Sequence, residues 1–237
     1  MRPLLSLFYP HLCPMCENYI GEEVPRGMIC PECDKRLPRT EQAATRENST
    51  EMELWGDVKS RGAAKRVMHL EQAAAYLFYE KDAPIRQLIH KMKYADQPEI
   101  GYWLGREAAM EFMYADFFRG VDYIVPVPLH PKRFRSRGYN QSEFIARGIS
   151  EVTKIPIDTS HLTRVRNTPK QAMLDKAGRQ TNVTDAFEVN HPEQFYHKHL
   201  LIVDDLITTG GTMRACLQAM KRFRGATFSV FALCKTH

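Results

Sequence analysis

The chain has 237 residues, 43% of them hydrophobic and 26% charged, a composition that can bury one sizeable core plus a small satellite module. No run approaches the roughly 18 apolar residues of a membrane span. The N-terminus, Met1-Arg-Pro-Leu-Leu-Ser-Leu-Phe-Tyr9, has too short an apolar stretch for a secretory signal and lacks an Ala-x-Ala site, so the expectation is a cytoplasmic chain with reduced thiols. The formal charge of +5 is unevenly spread: between His130 and Gln180 eleven Lys/Arg stand against four Asp/Glu, and the anionic partner is expected near that third.

Near the start, Cys13-Pro-Met-Cys16 and Cys30-Pro-Glu-Cys33 form two Cys-x2-Cys pairs separated by 13 residues. Four thiolates in two close pairs suit the tetrahedral preference of zinc. Two disulfides, with three possible pairings, or a redox Cys-x-x-Cys pair are the alternatives; a reducing compartment and the doubled pattern stand against them. A structural zinc on Cys13, Cys16, Cys30 and Cys33 is expected, in a ribbon-like module over residues 1–40. Residues 38–50 contain no Ile, Leu, Val or aromatic side chain. They read as a polar linker, giving a linker and connecting helix over 41–70 and a main domain over 71–237.

Residues 73–79 (Ala-Ala-Ala-Tyr-Leu-Phe-Tyr) predict a strand. Asp82 and Pro84 then announce a helix with Ile85, Leu88, Ile89 and Met92 on its apolar stripe; Lys91 and Lys93 are read as solvated charge off that stripe. A second helix is expected over 99–117, turning Ile100, Trp103, Leu104, Ala108 and Phe112 into the core. Residues 123–128 (Tyr-Ile-Val-Pro-Val-Pro) predict a buried strand whose prolines confine pairing to one end or to a sheet edge. Asn140 and Glu143 give a capping-box-like start to a helix bearing Ile145, Ile149 and Val152. The basic stretch from Leu129 to Arg137 thus occupies a strand-to-helix connection, at the carboxyl edge where open α/β sheets bind ligands. A solvated basic loop, or one touching nucleic acid, is the alternative. Farther on, residues 164–187 are polar, basic and Pro-containing and read as a flap between strands whose closure would shut out water; a surface loop without chemistry is the plainer reading. Residues 226–233 make a last strand, with Cys216 and Cys234 as core thiols.

The most informative stretch runs from His199 to Met213. Residues 200–203 are a short apolar run suited to a strand buried on both faces, with Asp204 and Asp205 at its carboxyl end. Thr208, Thr209, Gly210, Gly211 and Thr212 follow. Met213, Cys216, Leu217, Met220 and Phe223 then recur on one helical face. Unpaired N–H groups and the positive dipole end at a helix start hold phosphate, the glycines let the backbone close around it, and threonine hydroxyls donate to it. The two carboxylates would repel phosphate, so they are expected to face vicinal sugar hydroxyls or a hydrated magnesium ion. No Gly-Lys-Ser/Thr follows, which excludes a Walker loop, and the Gly-x-Gly-x-x-Gly spacing is absent. A glycine turn behind an acidic strand end is the bland alternative; a response-regulator pocket would carry its acids nearer the start of its domain.

Asp-Asp, two residues, then Thr-Thr-Gly-Gly-Thr resembles the phosphoribosyl pyrophosphate (PRPP) loop of type I phosphoribosyltransferases. The resemblance implies an α/β fold with a mostly parallel sheet flanked by helices. It implies Asp204 and Asp205 on the ribose hydroxyls and Thr208, Thr209, Gly210, Gly211 and Thr212 on the 5′-phosphate. Pyrophosphate would fall to the basic connection, with Leu129, His130, Lys132, Arg133 and Arg137, and with Arg135 adding charge. Arg164, Thr168, Lys170, Gln171 and Arg179, with Asn182 trailing, resemble the flexible loop of glutamine amidophosphoribosyltransferases; Arg164, Asp204 and Asp205 are the catalytic candidates. The glutaminase half and N-terminal cysteine of true amidophosphoribosyltransferases are absent, so no amidotransferase is implied. The order of four-cysteine ribbon, polar linker, Pro126-Val-Pro-Leu-His130, Arg137-Gly-Tyr-Asn-Gln-Ser-Glu143 and C-terminal PRPP loop is similar to the ComF family, the late-competence and gluconate-locus proteins of bacteria, over nearly the whole chain. That resemblance implies PRPP and Mg2+ binding, displacement of pyrophosphate by an unknown acceptor, and a role in taking up or using external DNA, with single-stranded DNA and DNA-import machinery as further partners. A non-catalytic PRPP-binding adaptor on single-stranded DNA is the rival. A bare scaffold is the third option, and it would need none of the intact loop residues.

Overall fold

The computed structural model describes residues 11–21, 23–25, 27–45, 69–166 and 186–236. Its strands are β1 (Leu70–Phe78), β2 (Tyr123–Pro126), β3 (Leu162–Arg164), β4 (Phe187–Val189), β5 (His199–Ile207) and β6 (Thr227–Lys235). Its α-helices are α1 (Pro31–Lys35), α2 (Gln42–Thr45), α3 (Ile85–Tyr94), α4 (Glu99–Met113), α5 (Pro131–Arg137), α6 (Gln141–Thr153) and α7 (Gly211–Met220).

The long apolar strands β5 and β6 sit at the centre of a parallel sheet ordered β1-β6-β5-β2, while β3 and β4 pair antiparallel beside it. Parallel strands need both faces covered, and side chains alternate between the two faces. Leu201, Val203, Phe231 and Leu233 accordingly join one core with α3, α4 and α6, whereas Leu200, Ile202, Phe228 and Val230 join another with α7, Leu162 and Phe187. The predicted inward positions of α3 and α4 are all buried. Helix α4 ends at Met113, earlier than the expected 117, and turns fill residues 114–120. Proline-bearing β2 lies at a sheet edge, as its composition requires.

Helices α4 and α6 approach closely because glycines face each other's backbones. A Cβ on Gly105 would lie 2.3 Å from Ile145 O, and one on Gly148 only 2.0 Å from Tyr102 O. That contact sets α6 against the sheet and fixes where its first turn meets β5.

Both sheet edges are covered. Outside β2, Ile124 N donates to Pro156 O at 2.9 Å, and Asp158 N donates to Ile124 O at 2.8 Å. Outside β1, Phe78 N donates to Pro38 O at 2.7 Å, Thr40 N to Tyr76 O at 2.9 Å, and Ala75 N to Gln42 Oε1 at 2.8 Å. The first part of the polar stretch after the cysteines is therefore docked along β1; its polar side chains satisfy strand-edge groups that an apolar sequence could not. Cys13, Met15, Ile29, Cys33 and Leu37 belong to the same core as α3 and α4, so the cysteine module packs directly on the helical face. Among the described residues no helix is long and apolar enough to cross a membrane.

Candidate functional site

Asp204 and Asp205 lie inside β5, since the strand continues through them to Ile207 with Asp204 opposite Ala232. Sequence placed them just past its end; the sheet extends because Leu206 and Ile207 still pair with Cys234 and Lys235. The two acids are only 9% and 6% exposed. Asp204 Oδ1 accepts from Ser142 Oγ at 3.0 Å and from Asp205 N at 2.9 Å. Burial, and after it the charge of Asp205, pushes the Asp204 carboxyl up to about 7, against the opposing pull of Asp205 N–H, Lys93 and Ser142. Asp205 Oδ1 pairs with Lys93 Nζ at 2.9 Å, whereas its Oδ2 is buried and has no hydrogen-bond partner among the described residues. A buried carboxylate oxygen left unpaired is costly, and it marks where a donor is wanted.

The structure corrects the reading of Lys93 as solvated charge. Its side chain is 17% exposed and reaches the acidic pair from the last turn of α3. Ile85, Ile89 and Lys93 form one i, i+4 row, so Lys93 continues the apolar stripe; that spacing was the signal available in the sequence. Burial works against its charge, but Asp205 and then Asp204 outweigh it, and its pKa is raised. Lys91 is also engaged, pairing with Glu17 of the cysteine module at 2.8 Å. Ser142, the other missed contributor, sits in the first turn of α6 and is fully buried.

After β5 the chain turns through exposed Thr208 and Thr209 to Gly210, the N-cap of α7, at φ 69° and ψ 4°. This left-handed conformation favours glycine, and no side chain caps the helix there. Gly211 and Thr212 are half-buried in its first turn.

The basic stretch does connect β2 to α6, and within that connection it folds as the short helix α5. His130 Nδ1 accepts from Lys132 N at 3.2 Å as its N-cap, Pro131 pre-sets the first turn, and Gly138 closes it at φ 86°. Lys132 and Arg135 are exposed; Leu129, Arg133 and Arg137 are half-buried. Arg137 donates to Gln141 Oε1 and lies over the Tyr94 ring at 5.0 Å. Asn140 joins this segment to β2 and α6: its Oδ1 accepts from Ser142 N at 3.2 Å and its Nδ2 donates to Val127 O at 3.1 Å. The capping box is half realised, because the Glu143 carboxylate turns to Arg147. Arg164, at the end of β3, stacks over Phe187 at 5.3 Å. Burial and the neighbouring charge of Arg133 lower its pKa, with Cys216 and Asp204 opposing, so Arg164 stands within electrostatic reach of both the basic helix and the acidic pair. Thr168, Lys170, Gln171, Arg179 and Asn182 lie outside the described residues.

On the other side of α3, the Sγ atoms of Cys13, Cys16, Cys30 and Cys33 all lie within 4.8 Å of one another, with Cys16 and Cys30 at 3.7 Å. A tetrahedral ion at 2.3 Å from each sulfur would need separations of roughly 3.8 Å, so the donor set fits one zinc ion. Cys30 N points at Cys13 Sγ at 3.4 Å. Burial raises the Cys13 thiol's pKa, but backbone N–H groups outweigh it and bring it down to about 7. The buried Cys216 and Cys234 are the core thiols expected.

These features can be set beside known proteins. A model of the phosphoribosyl transferase domain matches residues 136–237, from the last turn of α5 through β6. "DNA utilization protein YhgH" of Escherichia coli K12 is 35% identical over 156 residues, covering 65% of this chain and 68% of that protein; the Shigella flexneri protein of the same name matches equally. "Competence protein F" of Haemophilus influenzae is 27% identical over 160 residues, covering 64% of this chain and 68% of that one. Among solved structures, a hypoxanthine phosphoribosyltransferase from Staphylococcus aureus aligns over 66% of this chain and 73% of its own, at 12% identity and a TM-score of 0.33. Parallel sheet, acidic pair on a central strand and glycine-led helix agree with the domain match and with the DNA-utilization and competence relatives: the chain belongs to the ComF family of proteins with a type I phosphoribosyltransferase-like domain.

Proposed function

We propose that this protein binds PRPP with Mg2+ and displaces pyrophosphate from the ribose C1 in favour of an acceptor still to be identified, in the use of external DNA. The observation that carries the reading is the unpaired, buried Asp205 Oδ2 on the strand that leads into the glycine-capped start of α7. A carboxylate oxygen seeking a donor and helix N–H groups suited to phosphate match the two ends of a sugar phosphate. Asp204 and Asp205 accept from the ribose hydroxyls, and Thr208, Thr209, Gly210, Gly211 and Thr212 hold the 5′-phosphate. Lys132, Arg133 and Arg137, with the Leu129 and His130 backbone, meet the pyrophosphate, and Arg164 joins them. The C1–O bond breaks with its electron pair leaving on pyrophosphate while the acceptor's lone pair forms the new bond. A strong base has little to do here; the residues position the donor and neutralise the leaving group. Magnesium, brought in on the phosphates of PRPP, would neutralise charge on the leaving group beside Asp204 and Asp205. The four cysteines hold a structural zinc.

Titration calorimetry of PRPP with Mg2+, run beside a pyrophosphate-release assay, tests the reading. Binding that Asp204→Asn with Asp205→Asn abolishes in a folded protein supports it, and unchanged affinity in that variant overturns it. Turnover on addition of an amine, base or nucleic acid identifies the acceptor.

A second reading, a PRPP-binding adaptor without turnover that contacts single-stranded DNA, is favoured by one surface. Phe134 is 46% exposed between Lys132 and Arg135, and Tyr94, 55% exposed, lies under Arg137. Exposed rings among cations suit base stacking beside phosphate contacts, and the relatives' names concern DNA utilization and competence. DNA affinity that falls steeply with salt, together with PRPP binding and no turnover on any acceptor, selects this reading over the enzyme.

A further inference from the structure

We infer that Lys93 is a positioning and selectivity residue of the acidic pair: it fixes the Asp205 carboxylate by one oxygen, and its charge keeps the pair from capturing a free divalent cation. The inference deepens the site reading proposed above and rests on it.

Two adjacent buried carboxylates are, by their chemistry, ligands for a hard dication. In this site, however, the Lys93 ammonium already occupies Asp205 Oδ1 at 2.9 Å, with side-chain exposures of 17% and 8% for the two partners. The ammonium is firmly held. Tyr139 OH donates to Met92 O at 2.7 Å, one residue before Lys93, and Ala95 N closes the helix end on Lys91 O at 3.0 Å. On the far side, Lys91 anchors the same turn to Glu17. A bare Mg2+ or Mn2+ entering here must displace that ammonium or lie buried beside it, and like charges at such range in a poorly solvated site repel strongly. A neutral hydroxyl meets no such opposition. It donates to Oδ2, the oxygen that Lys93 leaves open. The pair thereby selects sugar hydroxyls over a free cation, and a divalent ion comes in on the phosphates of the ligand.

The test uses the full-length, zinc-loaded protein and two probes: Mn2+ alone, followed by electron paramagnetic resonance, and PRPP with Mg2+, followed by calorimetry. Thiolate ligands do not exchange zinc for Mn2+ readily, so the cysteine cluster does not contribute to the Mn2+ signal. Wild type is expected to leave millimolar Mn2+ free. Lys93→Met should bind Mn2+ about tenfold more tightly or better and lose about tenfold or more in PRPP affinity, because it leaves Asp205 uncompensated. Lys93→Arg should restore both. A Lys93→Met protein with wild-type Mn2+ and PRPP behaviour overturns the inference. So does a wild type that binds Mn2+ tightly without PRPP through Asp205, shown by loss in Asp205→Asn; this arm needs no Lys93 variant to fold. If wild type binds no PRPP, the proposed function fails, while the Mn2+ contrast still decides the role of Lys93.

Discussion

Asp204→Asn isolates the cost of an ionised carboxylate in the sheet. Burial and the adjacent Asp205 raise the Asp204 pKa from 3.8 to about 7, so the folded protein holds this proton more tightly than the unfolded chain does. A raised carboxyl pKa destabilises upward in pH: its favourable contribution is complete below about pH 4, is lost as pH climbs towards 7, and stays lost above. At about 1.4 kcal/mol per pH unit, the loss is on the order of 4 kcal/mol. Asparagine keeps an oxygen to accept from Ser142 Oγ and Asp205 N but cannot ionise. The stability difference between variant and wild type should therefore grow in the variant's favour from pH 5 to pH 8 and then level off. For a chain of this size about 1 kcal/mol moves Tm by 2–4 °C, so the relative gain is on the order of 10 °C or somewhat less. Differential scanning calorimetry of both proteins at half-unit pH steps, without PRPP, measures it. Parallel Tm profiles for the two proteins would refute the reasoning, because an Asp204 that ionises freely in the folded state has nothing to lose.

Other expectations follow from the geometry. Gly148→Ala puts a methyl group 2.0 Å from Tyr102 O, and separating α4 from α6 should cost about 2 kcal/mol or more in urea denaturation. Gly210→Ala forces a side chain into φ 69° and should cost about 1–2 kcal/mol, with PRPP affinity falling further than stability does. Metal analysis should find one zinc per chain, and Cys33→Ser should release it and lower Tm, since Cys33 shares a core with α3 and α4. Asp205→Asn removes the Lys93 partner and should leave a folded protein that no longer binds PRPP in calorimetry.

Much of this architecture was legible in the sequence because it depends on local periodicity. The apolar row of α3, the inward face of α4, the proline-limited edge strand and the face of α7 all follow from spacing. The cysteine cluster and the Asp-Asp, Thr-Thr-Gly-Gly-Thr stretch are contiguous or nearly so, and their chemistry can be read from residue type. What escaped depends on distant contacts. Ser142 looks like any residue in the first turn of a helix until that helix is set against β5. Thr40 and Gln42 look like linker because their role is to pair with a strand edge more than 30 positions onward. Lys93 was readable in part, as the third member of the Ile85–Ile89 row, but its charge concealed its place in the stripe. The run of β5 through two aspartates was hidden because acids are poor strand formers, and here pairing with β6 outweighs that preference.

The strand order also bears on how the chain is built during synthesis. β1 is the first strand of the sheet, yet its sheet partner is β6, whose residues follow about 150 positions later. A ribosome that has made the chain through α7 has produced β1 and β5 but not the strand that joins them. Until Thr227–Lys235 emerges, the partners available among the described residues are the Pro38–Gln42 segment for β1 and β2 for β5. The four clustered cysteines, complete by Cys33, belong to the part that can settle first. Closure of the central sheet has to wait for β6, and such long-range parallel pairing is intrinsically slow. A nascent chain stalled before β6 would present two exposed apolar strand edges to chaperones and to other copies of itself.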